Sequence, residues 1–331
     1  MFNRHTIFST ILFSSSTTGT FAHELEFGSR LWLSKGETEW SHCASPPCGG
    51  GFFNQNINGN KYTVYLGDPT SKLNYSDTNA TVYEVFANYR ADNFLTMAKI
   101  GTGTGDGGYL RDQDWFSTTN GDFRNTEYSD TLSEIKNTDV GYLMVDFGYS
   151  LNFSYKSTPS EQSFQIIPFI GYFNYDEKLN AYGLIPVIDG DINQAEYESD
   201  QTNVISNEVN WSGIRLGAVL ETELDEKIKL NVNIAYAIVD TENKDSHLLR
   251  VSEFGPAPNV LGKGDGGGVM LDLLLNYHHD AQLDFEIGYR YWDLDTDSAT
   301  GSTGPDFSHT YPIRSLYSIR SGLLIGAKYK F

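Results

Sequence analysis

The sequence predicts an all-β chain, a single transmembrane antiparallel β-barrel of about ten strands with long extracellular loops. Three observations predict it. At the C-terminus Tyr317, Ile319, Leu323, Ile325, Ala327, Tyr329 and Phe331 take odd positions, with Ser318, Arg320, Gly322, Lys328 and Lys330 between them. This alternation outruns the ~5–6 residues of an ordinary strand and suits a tilted bilayer crossing of ~9–11 residues, lipid on one side and a wet lumen on the other. The same dyad recurs in three preceding segments with the charges on one face only, which a dry core does not tolerate. Finally, short and long connections alternate along the chain, as hairpins opening alternately on two sides of a membrane require.

In chain order, residues 1–22 read as a secretory signal. Arg4 and His5 precede an apolar stretch containing Ile7, Phe8, Ile11, Leu12 and Phe13, and Thr20-Phe21-Ala22 offers a small-x-small cleavage site. Residues 23–331 then form the barrel domain. Strands are expected at 24–40, 71–90, 94–115, 138–151, 163–176, 203–222, 226–239, 269–278, 283–291 and 317–331. In the seventh, Ile228, Leu230, Val232, Ile234, Tyr236 and Ile238 face out while Lys229, Asn231, Asn233 and Ala235 face in. Ten is an even number, so the ring closes antiparallel with both termini on one side and leaves no open edge in lipid. Leu224-Asp225-Glu226 and His279-Asp280-Ala281 are the short turns. The polar stretches 41–70, 116–137, 177–202, 240–264 and 293–312 are the expected outer loops. Trp32, Tyr89, Tyr149, Tyr175, Trp211 and Tyr291, near strand ends, are expected in the interfacial girdles.

The chain has 331 residues and a net charge of −20. Such a field repels nucleic acid and anionic lipid, and nucleic acid is excluded as the main partner. No run approaches the ~20 apolar residues of a membrane-spanning helix. The two cysteines, Cys43 and Cys48, follow the signal in a Pro/Gly-rich stretch. In an exported chain they are read as a small loop disulfide. The alternative, a metal site with His42 as third ligand, lacks a fourth.

Chemistry centres on Gly107-Gly108-Tyr109-Leu110-Arg111-Asp112-Gln113-Asp114-Trp115. In a strand Asp112 and Asp114 share a face, and two carboxylates that close resist ionising together, the usual condition for acid/base work. Asp-x-Asp also occurs in solvated loops and calcium-binding turns. Far along the chain, Asp245-Ser246-His247 extends the seventh strand. Unbroken parity puts Asp245 and His247 on the lumen side, where the carboxylate fixes the imidazole tautomer and raises its basicity. A divalent-metal site built from Asp112, Asp114 and His247 is the competing reading of the same residues.

With these residues in view the chain resembles the omptins, ten-stranded outer-membrane proteases with an extracellular active-site groove. The resemblance rests on Gly107-Gly108 leading into Asp112-Gln113-Asp114-Trp115, on Asp245-x-His247, on Ser71-Lys72-Leu73-Asn74-Tyr75, and on the aromatic C-terminus. It implies an endopeptidase of the outer membrane that attacks polypeptide with water. His247 is then the base oriented by Asp245; Asp112 holds the water, and Asp114 shares a proton with it. No cofactor and no metal is implied; outer-membrane lipid, lipopolysaccharide in particular, is the implied partner for activity. Glu39 is read as one acid of the first specificity pocket, with uncharged Asn243 where a second acid is expected. Gly171-Tyr172-Phe173-Asn174-Tyr175-Asp176 places an acid where the family holds lipid phosphates with a base. The chain also resembles porin-like surface proteins of the Protochlamydia type, in Asp68-Pro69-Thr70-Ser71-Lys72-Leu73-Asn74-Tyr75 and Glu84-Val85-Phe86. That resemblance implies a non-enzymatic porin-like or adhesin-like barrel, which remains the alternative.

Overall fold

The computed structural model describes residues 23–45, 48, 52–57, 60–117, 125–157, 160–187, 198–304 and 306–331. The signal expected over 1–22 lies outside them. The strands are β1 (His23–His42), β2 (Phe52–Ile57), β3 (Asn60–Ala91), β4 (Phe94–Gly105), β5 (Tyr109–Ser117), β6 (Asn125–Tyr149), β7 (Leu151–Ser157), β8 (Ser160–Pro186), β9 (Glu198–Glu223), β10 (Ile228–His247), β11 (Val260–His278), β12 (Leu283–Thr303) and β13 (His309–Lys330). A short helical segment, Leu248–Arg250 and then Val251–Phe254, follows β10.

Ten strands close the ring. β1 pairs with β3, β3 with β4, β4 with β6, β6 with β8, and each later strand with the next until β13 returns to β1. β5 continues β4 in the same gap between β3 and β6. β2 pairs with β3, and β7 with β8, as extensions beyond the ring. Every pairing is antiparallel, so closure leaves the transmembrane part without an edge.

Outward residues define an apolar belt. Phe27, Leu31 and Leu33 on β1, Ile234, Tyr236 and Ile238 on β10, Phe285, Ile287 and Tyr289 on β12, and Leu323 and Ile325 on β13 are all exposed. At one rim the belt stops at outward Lys35, Asp139, Asp176, Asp240 and Asp265. Beyond that rim the ladder runs on. Most of the stretches expected as loops are strand, because β3 starts at Asn60, β6 at Asn125 and β13 at His309, while β10 reaches His247 and β12 reaches Thr303. Hydropathy alternation ends where lipid ends, but backbone pairing does not need it. Cross-strand charges such as Lys263 with Glu242, 3.2 Å apart, decorate the extension instead.

The girdle expectation is corrected for three residues. Trp32, Tyr175 and Trp211 are fully buried and point inward. Their parity decides this: Trp32 shares the inner face of β1 with Arg30 and Ser34, whereas Leu31 and Leu33 meet the outside. Tyr89 and Tyr149 are exposed as expected. Inside, Trp32, Tyr142 and Tyr175 pack around Trp292 with ring centroids 4.9, 5.0 and 5.5 Å away. Beneath this aromatic layer the lumen is filled by ion pairs. Arg30 lies 2.8 Å from Glu84 and 2.6 Å from Glu286, Arg290 lies 2.8 Å from Asp272 and 2.9 Å from Glu84, and Lys99 lies 3.0 Å from Asp272. Charges this deep persist only when paired.

Candidate active site

Three neighbouring strands exchange their inner and outer faces at one height above the belt. Low on β4 the buried residues are odd-numbered, Leu95 to Gly103; on β5 the inner face is even-numbered, beginning at Leu110. The exchange occurs at Asp106-Gly107-Gly108, where both glycines have positive φ, 104° and 106°. A Cβ on Gly108 would lie 2.6 Å from the Ser76 carbonyl oxygen, so the close approach of β3 also requires glycine. On β3 the inner face passes from even (Ala80, Val82) to odd (Leu73, Tyr75) across Asp77, φ 55°, and on β6 it passes from even (Val140, Tyr142) to odd (Ser133, Ile135) across Asn137, φ 57°. The three irregularities are joined: Ile135 N–H donates to Gly108 O at 2.9 Å, Gly107 N–H to Ile135 O at 3.0 Å, and Asn137 N–H to the Asp106 carboxylate at 2.8 Å. Without this line of bulges Arg111 and Gln113 would face inward and the two aspartates outward.

As built, Asp112 and Asp114 face the interior. Asp112 stands opposite Leu73 of β3 and Thr131 of β6; Asp114 stands opposite Ser71 and Ser129. Burial and then the neighbouring Asp114 push the Asp112 carboxyl up to about 7, against the opposing pull of His247 and Arg250. Asp112 Oδ1 is buried without a hydrogen-bond partner among the described residues. Burial also raises Asp114, while Arg250 and a hydrogen bond from Ser71 restrain the rise. Both carboxyls are thus raised, as two neighbouring buried acids that hold a proton between them would be.

The second wall is the top of β10. Its register with β9 and β11 has no shift, so parity carries unbroken from the belt to Asp245 and His247. Asp245 is wholly buried, and its Oδ2 lies 2.9 Å from His247 Nε2. Tyr75 donates its hydroxyl to Asp245 Oδ1 at 3.3 Å, and Asn207 Nδ2 lies 3.5 Å from the same oxygen. Asn259 holds the His247 backbone, accepting from its N–H at 2.9 Å and donating to its carbonyl at 3.2 Å. Burial alone would lower the imidazole pKa, but the Asp245 charge and contact, helped by Asp112, hold it above the ordinary value. The two walls thus act on one another electrostatically. Tyr75 bridges them: burial first, then the charges of Asp245 and Asp112, drive its hydroxyl well above the usual phenol range.

Other expected site residues fall elsewhere. Glu39 sits on the outer side of β1, whose inner side carries Thr38 and Trp40, and pairs with Lys72 at 2.8 Å and with Asn74 at 3.1 Å. The structure does not bring it to the groove. Strand parity is the reason, since the even positions of β1 face inward without a break from Arg30 to Trp40. Asn243 is inward and buried, accepting from Asn207 at 2.8 Å. Cys43 and Cys48 form a disulfide beside the end of β1. Asn207, Asn259 and Arg250 emerge only in three dimensions, as do the contacts of Tyr75 and Ser71, whose stretch the sequence singled out without a role. Asn207 had a signal, since it stands on β9 opposite Asp245, but the register that reveals it is not written in either strand alone.

No protein-family model matches the chain, and no curated protein matches it in sequence. Among solved structures it is similar to the outer membrane protease OmpT from Escherichia coli, with a TM-score of 0.68 and 13% identity over 93% of this chain and 97% of that one. The translocator domain of the autotransporter NalP from Neisseria meningitidis overlaps at a TM-score of 0.35 and 12% identity, covering 95% of this chain and 90% of that chain. The outer membrane protein OprG from Pseudomonas aeruginosa overlaps at 0.30 and 12% identity, covering 92% of this chain and 95% of that chain. The last two superpose too poorly to carry weight. The first shows the fold, a ten-stranded barrel of the outer-membrane type.

Proposed function

We propose that the chain is an outer-membrane endopeptidase that hydrolyses polypeptide by direct attack of water, its groove facing outside. One observation carries the reading. Two strand walls separated by more than a hundred residues in sequence bring a pair of neighbouring carboxyls with raised pKa and an acid-oriented imidazole to the same end of the barrel, beyond the apolar belt. Each part has a task. With Nε2 turned to Asp245, His247 keeps Nδ1 to take a proton from water as its oxygen attacks the scissile carbonyl. Asp112, protonated near neutrality, donates to the developing oxyanion while Asp114 shares the proton. Collapse of the tetrahedral intermediate returns the proton from His247 to the departing amine. The step balances without a covalent intermediate.

Likeness to OmpT supports the reading at the level of fold. The filled lumen counts against the pore alternative: the arginine-centred ion pairs and the aromatic layer around Trp292 occupy the channel axis. The test is cleavage of a mixed peptide library by the refolded barrel in detergent with lipopolysaccharide. Cleavage should appear and be lost in Asp112→Asn and in His247→Ala while heat-modifiable mobility of the barrel stays unchanged. Equal cleavage by both variants would remove the assignment.

A further inference from the structure

His42 ends β1, and the mechanism above leaves it without a task. Register places it inward: it stands opposite Ser71 of β3, which stands opposite Asp114 of β5. At about 4.8 Å per strand, the His42 and Asp114 backbones are about 10 Å apart across one inner row. Its ring is clamped, with centroids 4.3 Å from Tyr311 and 5.6 Å from Trp40 and interplanar angles of 33° and 22°. The His247 charge acts on it. Burial and then His247 hold the His42 pKa down to about 3, so the ring is neutral wherever the barrel functions. Its Nδ1 is buried and has no hydrogen-bond partner among the described residues, and the same is true of Trp40 Nε1 beside it. The residue as a whole is only partly buried. Histidines kept for structure normally spend their ring nitrogens on internal partners. This one is oriented by stacking alone.

We propose that His42 is a substrate contact, a clamped imidazole that hydrogen-bonds the main-chain amide of a polypeptide lying between His247 and Asp114. The proposal rests on the peptidase reading and adds a third strand to the site. A neutral imidazole offers one donor and one acceptor, matching a peptide unit, whereas an ionised carboxylate can only accept. A neighbour that can both donate and accept can therefore hold the main chain of an extended peptide beside the catalytic groups.

Two variants separate hydrogen bonding from packing. His42→Phe keeps a ring between Trp40 and Tyr311 but removes both nitrogens; His42→Asn removes the ring but keeps a donor and an acceptor. Anisotropy of a fluorescein-labelled pool of random nine-residue peptides is measured on the Asp112→Asn barrel, which blocks turnover. His42→Phe should weaken binding about tenfold with unchanged melting, and His42→Asn should recover at least a third of the loss. Binding within twofold of the parent in His42→Phe overturns the contact. So does equal weakening in both variants in step with their melting temperatures, which marks a packing role. Should His42→Phe not fold, imidazole ¹⁵N resonances of the parent decide: a His42 signal that moves on peptide addition supports the contact and a stationary one overturns it. Peptide binding without cleavage by the native barrel removes the peptidase reading and leaves this contact standing; no binding by the parent removes both.

Discussion

Asp245 Oδ2 and His247 Nε2 lie 2.9 Å apart on one face of β10, and the carboxylate is wholly buried while the imidazole keeps a partly open edge. Asp245 therefore has little to do but orient and charge-balance His247. Asp245→Asn should preserve the shape and remove both effects, lowering kcat/KM by about 10²–10⁴-fold. Steady-state cleavage, run beside circular dichroism of the variant, checks it. A loss below threefold in a folded variant would leave His247 without its orienting partner.

The pH profile follows from the same groups. In the active form His247 is neutral and the aspartate pair holds one proton. Rate rises as His247 deprotonates, its pKa being held above the ordinary value by Asp245, and falls as Asp112 loses its proton near about 7. A narrow bell near neutrality is expected. Asp114→Asn removes the like charge that helps raise Asp112, so the alkaline limb should move to lower pH. Asp245→Asn removes the charge that raises His247, so the acid limb should also move to lower pH. Movement of either limb to higher pH contradicts the assigned roles.

Much of the barrel was legible because lipid imposes a strict period of two. Val269, Leu271, Leu273 and Leu275 have no other reason to alternate with Asp272 and Asn276, and the strands read this way are those that close the ring. Above the belt that constraint disappears, and so did the ability to tell strand from loop or inside from outside. Parity projected correctly to Asp245 because β10 is unbroken, whereas Glu39 was read from a resemblance alone, and the alternation of β1 puts it on the outer side. Trp32 and Tyr175, expected near strand ends in the girdles, lie well inside β1 and β8 and face inward.

The face exchange at Gly107 and Gly108 predicts that activity is sensitive to substitution there. Gly108→Val asks a β-branched residue to hold φ near 106° with its Cβ against the Ser76 carbonyl. The cost should be about 1–3 kcal/mol locally, and relief requires β5 to move against β3. Activity should fall at least tenfold while the belt-region amides keep their hydrogen-exchange protection. Unaltered activity would show that the aspartates do not depend on this break for their direction.

The filled lumen gives the last prediction. Arg290 is wholly buried and touches Asp272 at 2.8 Å and Glu84 at 2.9 Å, and its guanidinium carbon stands 5.1 Å from the Trp32 ring centre. Arg30 and Lys99 serve the same two carboxylates, so Arg290 is the hub of a network rather than one half of a pair. Removing a hub leaves acids buried with too few cations, a situation that typically costs about 3–5 kcal/mol. Arg290→Ala should therefore lower the unfolding free energy in urea by that order. It should also open transient ion-conducting states across a planar bilayer, because the missing side chain is part of the ion-paired filling of the lumen. The native barrel should show no steady current, since a ten-stranded ring filled by side chains leaves no aqueous path. A steady native conductance that is indifferent to Arg290→Ala would mean that ions pass elsewhere, and the case against a pore would fall with it.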